Sequence, residues 1–207
     1  NRQVARWLAN RQVARWLANR QVARWLAEVL LFLGLAIAST MPLARFANSH
    51  IPQGVERSAS VPLLNLWTIA WNVDRIDHGY RDYWDAPIFF PTEGALAFSE
   101  PQTATGWMAW PLWHTLSNPL LVYNLLLILF VTLNGWMTCR LLTRIRLIWP
   151  AALAGGAMAC LVPMLHWQIG VFQLLGFWSV VWTLWALVDF TRRQNAGRAV
   201  HLTIAFS

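Results

Sequence analysis

Residues 120–142, which read LLVYNLLLILFVTLNGWMTCRLL, decide the fold of this chain. A helix needs about 20 apolar residues to cross a hydrocarbon core about 30 Å thick, and this stretch is long enough. Its one charged residue, Arg140, lies near its end. Further stretches of the same kind occupy about 29–46, 148–165 and 169–188, and another begins near residue 199. The sequence therefore predicts an all-α, polytopic integral membrane protein with four complete transmembrane helices and a truncated fifth.

The composition favours the same class of protein. Of the 207 residues, 57% are hydrophobic, 12% are charged and 15 are tryptophan, whereas soluble domains carry about 25% charged residues. These values exclude a disordered chain, a disulfide scaffold and an ordinary cytosolic enzyme. Cys139 and Cys160 lie in apolar stretches without metal-ligand spacing, so we expect them to be small buried residues.

The distribution of arginine predicts the orientation in the membrane. All sixteen basic residues are arginine and the net charge is +7, a balance that is also typical of nucleic-acid binding. Twelve of them, however, precede the first span, close the second or follow the fourth. The positive-inside rule makes that side cytoplasmic, and all four alternating spans agree with it. We therefore expect a cytoplasmic N-terminus and membrane lipids, not nucleic acid, as partners.

The N-terminal 27 residues are three copies of the nonapeptide NRQVARWLA. Nine residues turn a helix by about 900°, so successive copies face opposite sides and form no continuous apolar stripe. We interpret the repeat as a recent tandem duplication or an artefact, or alternatively as an Arg/Trp-rich helix on the membrane surface. The chain begins without Met and ends inside an apolar run, so we expect a piece of a longer protein. The predicted organisation is repeat (1–27), first span (28–46), outer loop (47–106), and second span to the start of the fifth (107–207).

The outer loop is the predicted location of any chemistry. Together with the preceding Arg45 it holds seven of the nine acidic residues and four arginines, a net charge of −3. The spans contain almost no ionisable residues, which disfavours ion or proton transport. The seven acids are Glu56, Asp74, Asp77, Asp82, Asp85, Glu93 and Glu100.

Residues 61–80 of the loop have helical periodicity. Ser60 is a candidate N-cap, and Pro62 fits a first helical turn. The predicted apolar stripe continues into an ionisable one, which is typical of an interfacial helix whose end faces an aqueous pocket. The alternative is a solvated helix end with a local Asp77–Arg81 pair. The stripe consists of Leu63, Leu66, Trp67, Ala70 and Trp71, followed by Asp74, Asp77, His78 and Arg81.

Residues 83–102 combine prolines, aromatic residues and three carboxylates. The prolines exclude one continuous helix. Burial of Asp85, Glu93 or Glu100 among aromatic rings would raise the pKa of that carboxyl and suit general acid/base catalysis, and a pair could hold a divalent metal. The alternative is that these acids cap turns. His166, at the outer end of the third span, is either an additional polar group in the same aqueous space or a structural residue.

Three runs resemble a known group of proteins: VPLLNLWTIAWN (61–72), YWDAPIFFPTEGALAFSEPQ (83–102) and NPLLVYNLLLILFVTLNG (118–135). They are similar to bacterial polytopic membrane proteins of the GT-C glycosyltransferase superfamily, in a largely uncharacterised group. The resemblance implies an enzyme of the bacterial inner membrane with its active site in the first outer loop. Such enzymes transfer a sugar from a polyprenyl-phosphate donor to an acceptor on the outer face. A loop carboxylate acts as general base, and a divalent metal assists in some members.

The chain departs from that pattern because residues 41–54 contain no acid, whereas members commonly carry one soon after the first span. We expect Glu56 or Asp74 to be the base, and Asp85 and Glu100 to position the acceptor or a metal. The candidates for the catalytic acids are Glu56, Asp74, Asp77, Asp85 and Glu100. The candidates for substrate binding are Arg57, Arg75, His78, Arg81 and His166, since arginine matches phosphate oxygens. The alternative function is a non-catalytic transport or assembly subunit whose outer loop binds a partner.

Overall fold

The computed structural model describes residues 2–55 and 59–206, and the side chains of 20–55 and 59–206. Within these ranges every regular element is helical, which confirms the all-α prediction. Residues 95–98 form one 3₁₀ turn. The helices are α1 (Arg2–Ser39), α2 (Leu43–Phe46), α3 (Ser60–Asp77), α4 (Thr103–Thr115), α5 (Pro119–Arg144), α6 (Trp149–Cys160), α7 (Pro163–Trp167), α8 (Phe172–Leu175), α9 (Phe177–Arg192) and α10 (Ala196–Phe206).

Four helical segments in the described part of the chain are long and apolar enough to span a membrane, as predicted. They are Arg20–Ser39, Pro119–Arg144, Trp149–Trp167 and Phe172–Arg192. The first ends earlier than predicted because Pro42 follows closely and the chain restarts as the short helix α2. The third is interrupted at Val162, whose ψ of 118° is extended, because a residue before proline disfavours the helical conformation.

Helix α5 is the centre of the bundle. In its most apolar stretch 67% of the residues are buried, whereas the values for the other three spans are 17%, 28% and 17%. Helices α1, α6 and α9 pack around it. The helices approach one another closely at Phe32, because a Cβ on either Gly135 or Gly156 would lie 2.6 Å from its ring.

The arginine-rich ends of the spans meet at one end of the bundle. Glu28 of α1 is fully buried there and accepts hydrogen bonds from Arg140 Nη2 (3.1 Å) and Trp149 Nε1 (2.9 Å). At the opposite end, Asn124 of α5 donates to the carbonyl oxygens of Ala47 and His50. The spans therefore alternate in direction, as the arginine distribution predicts. Glu28 differs from the expectation of spans almost free of ionisable groups, since a buried carboxylate lies at the start of the first span.

Helices α3 and α4 lie at the end of the bundle opposite the arginines and pack against each other. Ser60 is the first residue of α3 and not its N-cap, which is Ala59. Helix α4 adds an apolar segment rich in tryptophan before the second span begins at Pro119. Residues 83–102 fold into turns over the surface of α3, which positions the loop acids around the end of that helix.

Candidate functional site at the end of helix α3

The buried face of α3 is not the predicted apolar stripe. The residues with no more than 2% exposure include Asn65, Thr68, Ile69 and Asn72, whereas Leu63 of the predicted stripe is 51% exposed. The tryptophans of that stripe pack instead against the loop, in a second small cluster. This cluster consists of Tyr83, Ala86 and Leu96, with Trp67, Trp71, Tyr80 and Ile88 against them.

Asn72 fixes the loop to α3. Its Nδ2 donates to the carbonyl oxygen of Pro101 at 2.6 Å, and its Oδ1 accepts from the hydroxyl of Tyr83 at 2.9 Å. Burial raises the pKa of the Tyr83 phenol, so the hydroxyl remains a donor at neutral pH. Gly106 is required at the same contact, because a Cβ there would lie 2.3 Å from the Cβ of Asn72.

Asn65 connects the loop to the spans. Its Oδ1 accepts from Gln102 Nε2 at 2.7 Å and from Gln173 Nε2 at 2.8 Å, and its Nδ2 donates to the carbonyl oxygen of Gly170 at 3.2 Å. Hydrogen bonds of this kind offset the cost of burying a carboxamide. The position of α3, and with it the loop acids, is therefore set by buried amides and not by apolar packing alone.

Asp77, the last residue of α3, lies against α4. One carboxylate oxygen accepts from Trp110 Nε1 at 2.7 Å, and the other lies 3.1 Å from His114 Nε2. The Trp110 indole N–H and the neighbouring imidazoles hold the pKa of the Asp77 carboxyl below its ordinary value. The predicted local Asp77–Arg81 pair is thus replaced by partners from another helix. A carboxylate that fixes an imidazole leaves the other ring nitrogen available for proton transfer.

Asp74 lies one turn earlier, and its neighbours are Arg75 of the same helix and His78, the C-cap. Arg75 Nε donates to its carboxylate at 2.8 Å, and His78 Nδ1 lies 3.4 Å from the same group. The Arg75 guanidinium also covers the Trp71 ring at 4.5 Å and donates to the carbonyl oxygen of Arg81 at 2.9 Å. The structure thus brings four of the predicted residues to one helix end, namely Asp74, Arg75, Asp77 and His78.

Other predicted site residues lie elsewhere. The carboxylate of Asp85 accepts the backbone N–H of Gly94 at 2.8 Å, which is the turn-capping arrangement given above as its alternative role. Glu100 is exposed. Glu56 and Arg57 lie outside the described residues. Arg81 is exposed next to the end of α3.

His166 lines a different cavity, of about 500 Å³, between the outer ends of the first and third spans. Its Nδ1 donates to the carbonyl oxygen of Val162 at 3.1 Å, and its buried Nε2 has no hydrogen-bond partner among the described residues. His50 also lines this cavity, together with apolar residues of α2 and the following loop. The residues that line it do not include the acids of α3.

Trp110 and His114 were not among the residues predicted from the sequence. They lie four residues apart on α4, and their ring centroids are 5.1 Å apart. Their i, i+4 spacing alone would have predicted that the two rings lie on the same face of a helix. Their contact with Asp77 spans more than 30 residues of sequence and has no local signature. In the described part of the chain, no three His, Cys, Asp or Glu side chains are grouped so that they could hold a metal ion.

These observations define an all-helical protein with four helices, among the described residues, that could cross a membrane. No family model, curated protein or solved structure matches this chain. The class therefore rests on the fold and on the apolar spans.

Proposed function

We propose that the protein is a membrane transferase that moves a sugar from a polyprenyl-phosphate donor to a hydroxyl acceptor at the outer face of the bacterial inner membrane. The observation that carries this proposal is the Asp77–His114 pair, a carboxylate and an imidazole 3.1 Å apart at the end of α3. The pair is solvent-accessible and lies at the bundle end opposite the arginines. The resemblance of residues 61–135 to GT-C glycosyltransferases implies an active site in the outer loop (47–106), which contains Asp77.

The pair supplies a general base in this proposal. With Nε2–H donated to ionised Asp77, the Nδ1 lone pair of His114 accepts the proton of the acceptor hydroxyl. The acceptor oxygen forms a bond to C1 of the sugar while the bond from C1 to the phosphate oxygen breaks. The electron pair of that bond leaves with the polyprenyl phosphate, and Asp77 stabilises the imidazolium. Asp74 and Glu56 are the competing candidates for the base.

Arginine next to the pair is suited to the charge of the leaving phosphate. Arg75 is largely buried and forms an ion pair with Asp74. Arg81, in contrast, is exposed in the loop that follows α3. We therefore assign the phosphate contact to Arg81, because a guanidinium matches two phosphate oxygens. Arg75 positions Asp74 and the backbone of Arg81.

The experiment measures transfer of a radiolabelled hexose from its polyprenyl phosphate in membranes that contain the full protein. Asp77→Asn and His114→Gln are expected to lower the rate by about 100-fold or more, the usual contribution of a positioned acid or base. Asp82→Asn is the matched control, since Asp82 is an exposed acid of the same loop with a positive φ of 51°, which asparagine tolerates. Loss of transfer in Asp74→Asn or Glu56→Gln alone would reassign the base. Full transfer in all of these variants would refute the proposed activity.

A second candidate, the non-catalytic subunit, is favoured by exposed aromatic residues on the same loop. Phe90 is 92% exposed and Phe98 is 76% exposed, and such rings are typical of an interaction surface. If the loop binds a partner protein, Phe90→Ser with Phe98→Ser would abolish co-purification of that partner while Asp77→Asn would leave it intact. Loss of sugar transfer in Asp77→Asn, with full transfer in the Phe90/Phe98 variant, would favour the transferase.

A further inference from the structure

A cavity of about 470 Å³ lies at the arginine-rich end of the bundle, far in sequence from the site on α3. Its lining comes from the end of α5 and the turn after it, the end of α9, and the first turn of α10. The lining residues are Arg144, Arg146, Arg192, Arg193 and Arg198. A cavity lined by five cationic side chains favours an anionic ligand.

The protein itself neutralises little of this charge. Asp189 contacts Arg144 through its carboxylate, and its carbonyl oxygen accepts from Arg198 Nη1 at 2.7 Å. Arg192 Nη1 donates to the carbonyl oxygen of Arg144 at 2.5 Å. Among the described residues, Asp189 is the one carboxylate that contacts these arginines.

The guanidinium groups of Arg146 and Arg193 make neither a hydrogen bond nor an ion pair with any described residue. Five arginines against one aspartate leave four positive charges around the cavity. Like charges held close together repel one another, and an anion between them relieves that repulsion. The topogenic role of arginine requires positive charge near the span ends. It does not require five guanidinium groups from three helices to converge on one cavity.

The surroundings of the cavity suit a lipid headgroup. The turn that carries Arg146 also exposes Ile145, Leu147 and Ile148, of which Ile148 is 73% exposed. Apolar side chains next to cations match a molecule with acyl chains and a phosphate, and basic pockets between transmembrane helices bind anionic headgroups. Arginine forks pair with phosphate oxygens through two parallel hydrogen bonds.

We propose that this cavity binds a phosphate-bearing anion, with the headgroup of an anionic phospholipid and a soluble phosphate compound as its two sources. The site is independent of the proposed transferase activity, because none of its residues takes part in that reaction. Arg146 and Arg193, which have no internal partner among the described residues, supply the main contacts to the phosphate. Arg144 stays paired with Asp189 and holds α5 against α9.

The test is native mass spectrometry of the full chain released from nanodiscs of phosphatidylcholine with or without cardiolipin, and of lipid-stripped protein titrated with pyrophosphate. Arg146→Gln with Arg193→Gln removes the two unpaired guanidinium groups. Each arginine near an anionic surface contributes about fivefold to binding, so we expect roughly 25-fold weaker binding in this variant. Arg146→Lys with Arg193→Lys, which keeps the charge, should retain most of the affinity.

Arg20→Gln with Arg45→Gln is the matched control, because it changes the net charge equally but lies outside the cavity. Cardiolipin retained by the wild type and the control, but lost from the Arg146/Arg193 variant, supports the lipid headgroup. Pyrophosphate binding with the same dependence on the two arginines supports the soluble source. Equal losses in the variant and the control, or no binding of either probe, would overturn the proposal. Circular dichroism of each variant separates these outcomes from failure to fold.

Discussion

Asp77 is held by groups from two helices, and its titration reports the contact between them. The Trp110 indole N–H is the largest cause of its lowered pKa, with His114 and His78 next. Because this pKa is lowered, the charge-dependent part of the α3–α4 contact is complete above the ordinary pKa of Asp. It is lost as the pH falls through the lowered value. The contribution of the Asp77 charge to this contact therefore weakens in acid.

Replacing Trp110 by Phe is expected to raise the pKa of Asp77 towards its ordinary value, since the carboxylate loses its 2.7 Å donor. The measurement is a carbon-13 NMR titration of the aspartate carboxyls, with Asp77→Asn to assign the signal. Trp107→Phe is the control on the same helix, because Trp107 contacts Tyr80. An unchanged Asp77 titration in Trp110→Phe would contradict this geometry.

Glu28 is the second residue for which the structure predicts the effect of a substitution, here on stability. Its side chain is fully buried and lies 3.1 Å from Arg140, whose side chain is 11% exposed. Glu28→Gln leaves that guanidinium buried without its counter-charge, and breaking a buried pair costs about 3–5 kcal/mol. We expect a drop of that order in the free energy of unfolding measured by SDS titration in mixed micelles. Exposed Glu93→Gln is the control, and equal values for the two variants would show that Glu28 is not structurally paired.

At the scale of helices, the close approach of α1, α5 and α6 depends on glycine. A Cβ on Gly156 would lie 2.6 Å from the carbonyl oxygen of Gly135 and 2.6 Å from the Phe32 ring. Gly156→Ala is therefore expected to destabilise the bundle, although alanine is otherwise favoured in a helix by about 1 kcal/mol. Gly34→Ala is the matched control, since a Cβ there meets nothing within 4 Å. Thermal unfolding in detergent should separate the two, with a lower Tm for Gly156→Ala only.

The helices differ in how much of their placement could be predicted from the sequence. The four spans could be predicted because hydropathy is a local property of each stretch. The buried face of α3 could not, because Asn65 and Asn72 are buried by partners from Gln102, Gln173 and Pro101. For the same reason Asp74 and Asp77 could be predicted while His114 could not. The two acids lie in one periodic stretch, whereas the His114 imidazole contacts Asp77 from another helix.

For the whole molecule, the dominant feature is the separation of charge along the bundle axis. The arginine cavity and the Glu28 pair lie at one end, and the cluster of Asp74, Asp77 and His114 lies at the other. Long-range packing of the spans produces this separation from a chain whose charges are dispersed in sequence. The positive-inside rule predicts an orientation from it, with the arginine end in the cytoplasm and the α3 site outside.

This orientation predicts which surface residues a membrane-impermeant maleimide reaches in intact cells. Thr92 and Gln194 are exposed polar residues at the two ends, and the native Cys139 and Cys160 are fully buried. Thr92→Cys should be labelled in intact cells, and Gln194→Cys only after permeabilisation. In detergent both variants should be labelled equally, which controls for exposure, and the wild type should give no signal. Labelling of Gln194→Cys but not Thr92→Cys in intact cells would invert the orientation. The α3 site would then lie on the cytoplasmic side, where an outer-face acceptor cannot reach it.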